Sequence, residues 1–509
     1  MFLLICFYIH NKKDIKYCAL LKRMRYKNYV GGKWVPPSSG EYFDSLNPAN
    51  KKSLGQFPKS SARDVLRAID AAVDAYPAWK EVPAPRRGDI LLNVAVLLKK
   101  DKERLARLMT LEMGKVLNEA RGDVQEAIDT AEYMAGEGRR LFGQTTPSEL
   151  QDKACMTIRV PIGVVAVITP WNFPIAIPAW KIMPALVCGN TVVFKPSSDT
   201  PLCAVEFVKI LERAGVPKGV VNLIMGSGPQ IGDVVMQSSK VRAISFTGNI
   251  DTGKYILSHA GLKRVGLEMG GKNPLIVMDD ADLDLAVDGI LWGGFGTTGQ
   301  RCTAASRVIV HKKVQKKLEK MLLKRVRKLR LGNGLSPKTD LGPLVNEAAL
   351  QKSLRYTEIG KREGAKLLCG GKVVEKLPGY YFAPTLFTNV KGSMRIAREE
   401  IFGPIVSLIP VHDFKEAIAV ANGVEYGLSS SIYTKNIRSA FIAMREIEAG
   451  LTYVNSPTIG AEVHLPFGGV KSTGNGTREA GWTGIDEFSE IKTVYVDYSG
   501  KLQKAQGIE

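Results

Sequence analysis

IGVVAVITPWNFP, residues 162–174, is an apolar run long enough for one strand, cut short by a proline-flanked turn. Its apolar residues follow one another without polar alternation, so a strand made from it is buried on both faces, as in parallel sheets covered by helices. Similar runs recur as NTVVFK (190–195), VVNLIM (220–225) and VRAISFTG (241–248), separated by helical text such as PLCAVEFVKILERAG (201–215). Strands alternating with helices predict right-handed crossovers and a doubly wound α/β sheet. Ligands of such sheets sit beyond the carboxyl ends of the strands. Those ends carry PWNFP at 170–174, KPSS at 195–198, GSGP at 226–229 and Gly248-Asn249. Glycines and a lysine there suit a phosphate-bearing ligand, because backbone N–H groups must approach oxygens closely. GSGPQIG (226–232) is one residue longer than the GxGxxG dinucleotide fingerprint and, taken alone, reads as a plain glycine turn.

A second α/β unit starts near Lys272 with the strand text PLIVM and the acidic helix start DDADLDLA, and runs to about Gly481. Before the first unit, Ile90, Val94, Leu97, Leu98, Leu105, Leu108 and Met109 keep a helical period,. Two strand-like segments lie outside both units, ACMTIRVPIGVV (154–165) and IKTVYVDYSG (491–500), and are expected to pair with each other or to extend a sheet across a subunit boundary. A chain of 509 residues exceeds the roughly 250–300 at which one core usually splits, in keeping with several domains,.

The chain carries 70 Lys and Arg against 50 Asp and Glu, a formal charge of +20. One dense basic run, KKVQKKLEKMLLKRVRKLR (312–330), places Val314, Leu318, Met321, Leu322, Val326 and Leu329 at helical spacing, so it reads as an amphipathic helix with a solvated lysine face,. It has neither interleaved aromatics nor a zinc pattern, and no nucleic-acid partner is expected. Residues 1–23 hold about ten apolar residues in a row, too few to span a bilayer, and lack the features of a secretory signal. Met24 reads as the better start, with 1–23 an extension. No membrane partner is expected, and seven scattered cysteines without CxxC or metal-ligand spacing point to reduced thiols, a cytoplasmic location and no metal site,.

Cys302 stands apart from Cys155, Cys188, Cys203 and Cys369, which read as structural thiols. It sits behind Arg301 in a stretch of small and polar residues, GFGTTGQRCTAAS (294–306), that enters a strand. A nucleophilic thiol needs a base and, in acyl chemistry, a donor for the oxyanion. Glu268 in LEMGGKNP (267–274) and the Asn172 amide supply those types. A cysteine hydrolase would use a histidine, and of the five only His464 lies in a segment of binding character.

These residues resemble the aldehyde dehydrogenase superfamily. PWNFP, the Lys195 strand end, FTG with Gly253 five residues after Gly248, LEMGGKNP, GQRC (299–302), EEIFGP (399–404) and LPFGGVKSTG (465–474) stand in that family's order, spanning nearly all of the chain after Met24. The resemblance implies a Rossmann-type cofactor domain (24–145 and 164–271), an α/β catalytic domain (272–480) and a β-strand oligomerisation arm (146–163 and 481–509) of a homodimer or homotetramer. It implies that Cys302 attacks an aldehyde, that Asn172 and the Cys302 N–H hold the oxyanion, and that Glu268 activates water against the thioester. Trp171, Lys195, Ser197, Ser198, Gly228, Gly248, Asn249, Gly253, Met269, Glu400 and Phe402 are the implied cofactor set. Asn249 and Ile250 depart from the usual Ser and Thr, which puts only a side-chain contact in doubt. Ser198 stands where NAD-specific relatives place a glutamate that repels a 2′-phosphate, and this favours NADP over NAD.

The resemblance to subfamilies is mixed. GLSSSIYTKN (427–436), PTIGAEV (457–463) and AQGIE (505–509) look like antiquitin-type α-aminoadipic semialdehyde dehydrogenases, whereas ITPWNFPIAIPAWK (168–181) and KPSSDTP (195–201) look like enzymes of 2-oxoglutarate semialdehyde, glyceraldehyde or lactaldehyde. Ile459 replaces a polar residue of the antiquitin-type loop. The expected substrate is a small polar aldehyde with a distal carboxylate, approached by Arg301 along a tunnel bordered by Glu126, Trp180, Lys181, Ile459 and Phe467. The alternatives are a glyceraldehyde or lactaldehyde dehydrogenase, or a non-catalytic protein retaining the fold, the last opposed by the intact Cys302, Glu268 and Asn172.

Overall fold

The computed structural model describes residues 24–507; the extension before Met24, with Cys6 and Cys18, lies outside the described residues. Five parallel strands run in the spatial order Arg264–Glu268, Val241–Thr247, Val164–Ile168, Thr191–Lys195 and Val221–Leu223, and the hairpin Asn28–Val30/Lys33–Val35 extends the last edge in antiparallel fashion. The run that reads as buried on both faces is so. Val165 and Val167 enter one core with Leu186 and Phe207, while Val164 and Ala166 enter another with Ile69 and Ile244. The chain winds outward from Val164–Ile168 in one direction and then returns to add Val241–Thr247 on its other side, so the winding reverses between these two strands. Their carboxyl ends therefore diverge into a crevice.

A second seven-stranded sheet runs Lys366–Cys369, Thr385–Thr388, Ile405–Val411, Arg307–His311, Pro274–Val277, Ser429–Tyr433 and Leu451–Val454, parallel except for its first strand. The basic run forms the helix Lys312–Val326, which buries Leu318, Leu322 and Val326 and leaves most of its lysines outward; Leu329 lies beyond its end. Ser489–Asp497 pairs antiparallel with Lys153–Pro161 over nine residues, and Thr145–Pro147 adds a third strand. Ile158, Ile491, Tyr495 and Val496 leave apolar surface exposed on this sheet. No described helix is long and apolar enough to cross a membrane.

Arg307 ties the second sheet to the site. It is fully buried and donates to the carbonyls of Lys272 (2.8 Å), Val420 (2.9 Å) and Ala421 (2.9 Å). Replacing it with Met leaves three buried acceptors without donors, so Arg307→Met is expected to lower stability by about 3 kcal/mol. A urea midpoint unchanged from the parent would contradict this role.

Candidate functional site

Cys302 is positioned by a segment that leaves helical geometry abruptly. Helix Leu283–Phe295 begins at Asp282, whose carboxylate accepts from the N–H groups of Asp284 and Leu285. Beyond its end, Thr297 and Thr298 adopt left-handed backbone angles (φ 51° and 58°), which cost energy in non-glycine residues and persist where surroundings impose them,. Thr297 N–H donates to Glu119 (2.8 Å), Gln300 donates back to the Thr297 carbonyl (3.2 Å), and the Gln300 amide oxygen accepts from Val345 N–H (3.0 Å). At Gly299 a Cβ would stand 2.3 Å from the Gly403 carbonyl, so the close approach itself demands glycine.

Two further tethers fix the residues after the turn. The Asn273 amide donates to the carbonyls of Cys302 (2.7 Å) and Ala304 (2.9 Å), while its oxygen accepts from Ser429 N–H (3.0 Å). Thr458 donates to the Thr303 carbonyl (2.7 Å). Asn172, from the turn after the strand Val164–Ile168, is buried and donates to the Gln300 carbonyl at 3.1 Å. That bond uses one of two amide hydrogens and locks the side chain beside the cysteine turn. Asn172 and Cys302 thus line one cavity.

The cysteine is not a resting thiolate. Burial, with Glu400 and Glu268 adding repulsion, pushes its thiol up to about 12. Glu268 is itself buried, with no side-chain hydrogen bond to either oxygen, and burial followed by the charge of Glu479 holds its carboxyl far above the usual range. Lys181 is corrected here. It does not border a substrate tunnel but lies fully buried, bonded to Glu479 and to the Ser245 hydroxyl (2.9 Å). Its ammonium offsets a buried group of glutamates behind Glu268, because unpaired charge in a dry interior is costly. Glu479 and Glu487 in that group carry no local pattern that a sequence reader could find.

The cavity occupies about 970 Å³ at the crevice between the two diverging strands. Trp171, Lys195, Ser197, Gly228, Gly248, Asn249, Met269, Glu400 and Phe402 all line it. Lys195 ends its strand buried and lowered to about 8 by desolvation, and a Cβ on Gly228 would come within 3.9 Å of its Nζ. Gly228 opens the helix Gly228–Gln237, so free N–H groups and a cation converge there, a natural anion site,. Glu400 accepts from Gly271 N–H (2.9 Å), and the Trp171 and Phe402 rings meet edge to face at 5.4 Å.

Two expectations change. Gly253 is not on the cavity wall; a side chain there would collide with Met269 Sδ at 2.2 Å, so this glycine serves packing. Ser198 is exposed, off the cavity wall, and donates to the Gly226 carbonyl (3.0 Å). Asn249 lines the cavity, but its side chain caps the helix Ile250–His259 by accepting from Thr252 N–H (2.8 Å). Lys352, which reaches the cavity from helix Glu347–Arg362 and faces Glu400, was not singled out by sequence, since one lysine among many on a helix carries no signal. Among the structural thiols, Cys188 and Cys203 are buried, whereas Cys155 and Cys369 are only partly so.

On the other side of Cys302, Trp180 and Phe467 pack edge to face at 4.8 Å with Leu428 and Ala480, and Cys302 packs against this cluster. Ile459 is buried in the loop that Thr458 ties to Thr303. Arg301 donates to the Thr297 hydroxyl (2.9 Å), lies 5.4 Å above the Phe173 ring, and makes a long pair with Glu119 (3.4 Å). Glu126 is pushed up to about 8, first by burial and then by Asp123, with Arg301 acting against the rise.

The model of the Aldehyde dehydrogenase family matches residues 34–494. The α-ketoglutaric semialdehyde dehydrogenase of Bacillus subtilis is 43% identical over 485 residues, covering 94% of this chain and 99% of that protein. The 2,5-dioxopentanoate dehydrogenase of Saccharolobus solfataricus is 42% identical over 477 residues, 92% of this chain and 99% of that protein. Among solved structures, betaine aldehyde dehydrogenase from Staphylococcus aureus in complex with NAD+ superposes with a TM-score of 0.93 at 36% identity, covering 97% of this chain and 99% of that one.

A thiol held near 12 gains thiolate about tenfold per pH unit below that value,. Iodoacetamide labelling of Cys302 in the ligand-free protein, followed by mass spectrometry, is expected to accelerate steadily from pH 7 to pH 10. A plateau near pH 8 would contradict the desolvated resting state.

Proposed function

The chain belongs to the aldehyde dehydrogenase family, and we propose that this NAD(P)-dependent aldehyde dehydrogenase oxidises a small semialdehyde with a distal carboxylate to the acid, through a thioester on Cys302. The observation that carries the reading is the convergence of Cys302 and the locked Asn172 amide in one cavity with Lys195, Gly228 and Glu400.

That cavity fits a dinucleotide. Lys195 and the N-terminus of helix Gly228–Gln237 suit phosphate oxygens, and Glu400 suits ribose hydroxyls. When bound, the nicotinamide supplies the hydride acceptor. The Cys302 sulfur adds to the aldehyde carbon as its proton passes to the Glu268 carboxylate. The remaining amide hydrogen of Asn172 meets the developing oxyanion, which re-forms the carbonyl as a thioester when the C–H bond breaks and its hydrogen leaves with the electron pair. Water next adds to that carbonyl while Glu268 takes its proton, and the tetrahedral adduct expels the Cys302 thiolate. A carboxylate with raised proton affinity is well suited to both transfers,.

An anionic substrate is supported by Arg301, whose pair with Glu119 is long at 3.4 Å, and by the semialdehydes for which the relatives are named. Trp180, Phe467 and Ile459 form an apolar wall around the reacting carbon. NADP is favoured over NAD because position 198 carries no carboxylate to oppose a 2′-phosphate, and Lys195 and Ser197 line the cavity where that phosphate would be held. The exposed apolar residues of the Lys153–Pro161/Ser489–Asp497 sheet, Ile158 and Val496 on one face and Ile491 and Tyr495 on the other, support a homodimer or homotetramer, and the family reading is in keeping with the cytoplasm,.

Cys302→Ser is expected to abolish oxidation, and Asn172→Ala to lower kcat by about 10²–10³. In kcat/KM measurements with both cofactors, carboxylate-bearing semialdehydes should outrun neutral aldehydes of equal length, and Arg301→Gln should erase the difference. Equal use of charged and neutral aldehydes would overturn the substrate assignment. Because Glu126 is neutral below about pH 8 and anionic above it, KM for the anionic substrate should rise above that pH, and Glu126→Gln should remove the rise.

A further inference from the structure

The chemistry just proposed gives Glu268 a proton twice in each turnover, once from the thiol and once from water. The carboxylate must be cleared between these events, and the surroundings of Gly266 offer a place for the proton. Residues 266 and 268 alternate on the strand Arg264–Glu268 and so share a face,. Position 266 has no side chain, and its place is taken from another element: a Cβ built on Gly266 would lie 2.1 Å from Oε1 of Glu487, at the end of helix Thr483–Glu487. The Glu487 carboxylate therefore lies on the same face of the strand as Glu268, near enough for its charge to act on that carboxyl.

The neighbouring strand completes the arrangement. In parallel register, Ser245 stands next to Gly266 and Thr247 next to Glu268. Ser245 accepts from Lys181, which also holds Glu479. Neither oxygen of Glu268 has a hydrogen-bond partner among the described residues, and Glu487 has the Ser245 hydroxyl beside it. The charged groups facing Glu487 are Glu479, Lys181, Glu268 and Arg264; those facing Glu268 are Glu479, Lys181, Glu487 and Arg478. Three buried carboxylates around one buried ammonium cannot all ionise together, so the group retains protons. Arg264, partly exposed, donates to the carbonyls of Asp486, Glu487 and Ser489 and marks the outer end of the group.

We propose that Glu487 receives the proton that Glu268 collects, and so clears the base for hydrolysis of the thioester. This rests on the dehydrogenase reading above. In the step, the O–H bond of the Glu268 carboxylic acid breaks as an O–H bond forms on the Glu487 carboxylate. One proton moves, total charge is unchanged, and Glu268 recovers its lone pair. Glu487 does not touch the substrate; it acts through Glu268 alone. It is therefore expected to affect hydrolysis rather than hydride release.

The test compares Glu487→Gln and Glu487→Asp with the parent enzyme, using a carboxylate-bearing semialdehyde and the preferred cofactor. For Glu487→Gln, the first-turnover burst of reduced cofactor should stay within about twofold of the parent while the steady rate falls roughly tenfold. Rapid-quench mass spectrometry should then find acylated Cys302 accumulating, and Glu487→Asp, which keeps the acid, should recover most of the rate. The proposal is overturned if Glu487→Gln turns over at the parent rate without acyl-enzyme accumulation, if burst and steady rate fall together, or if Glu487→Asp is as slow as Glu487→Gln. A parent enzyme that gives no reduced cofactor at all would remove the dehydrogenase reading, and this proposal with it.

Discussion

The Asn273 side chain makes three hydrogen bonds, to the carbonyls of Cys302 and Ala304 and from the N–H of Ser429, and thereby joins three segments far apart in sequence. Each partner is a backbone group, two of them carbonyls in the turn outside any strand and one the N–H that opens the strand Ser429–Tyr433, and buried backbone groups must be paired,. A single amide meets this demand where the cysteine turn crosses the amino edge of the second sheet. The strain at Thr297 and Thr298, the Gln300 bonds and the Asn172 contact are all built around a turn held in this way. The precision of the site is thus a property of the peptide carbonyls around Cys302, and the thiol inherits it.

Electrostatics then sets the resting state. Burial raises the thiol of Cys302 and the carboxyls of Glu268 and Glu487, and lowers Lys195, so each of these groups is pushed toward its neutral form. At about 8, Lys195 still carries most of its charge at neutral pH, so it is the cation the cavity offers to an anionic ligand. Lys181, fully buried, is bonded to Glu479 within the buried group of glutamates. Charge separation can then accompany the reaction, in a dry environment where it is strongly felt.

Much of this was legible in the chain, and the reason is local. The runs at 164–168, 191–195 and 241–247 read as strands because both faces are covered, so apolar residues point to both sides of each; at 220–225 only Val221–Leu223 joins the ladder, because the sheet there is already passing into its antiparallel edge. Asn172, Lys195 and Gly228 were legible as strand-end residues, since winding order alone sends those ends to the crevice. Lys181 was misread because its direction depends on Glu479, far along the chain and without a motif of its own. Gly253 was misread for a related cause: a glycine one helical turn from a cavity can be small for a ligand or for a neighbour, and here the neighbour is Met269. Left-handed backbone at Thr297 and Thr298 had no sequence signal, because threonine is a poor residue for it.

Gly266 and Glu487 illustrate a last consequence of close packing. The carboxylate of one occupies the space of the side chain the other lacks. Neither position can then drift independently: a larger residue at 266 would expel Glu487, and a loss at 487 would leave a void that only a side chain at 266 could fill. Descendants of this sequence are expected to change the two together or not at all, an inheritance written into the volume of one missing side chain.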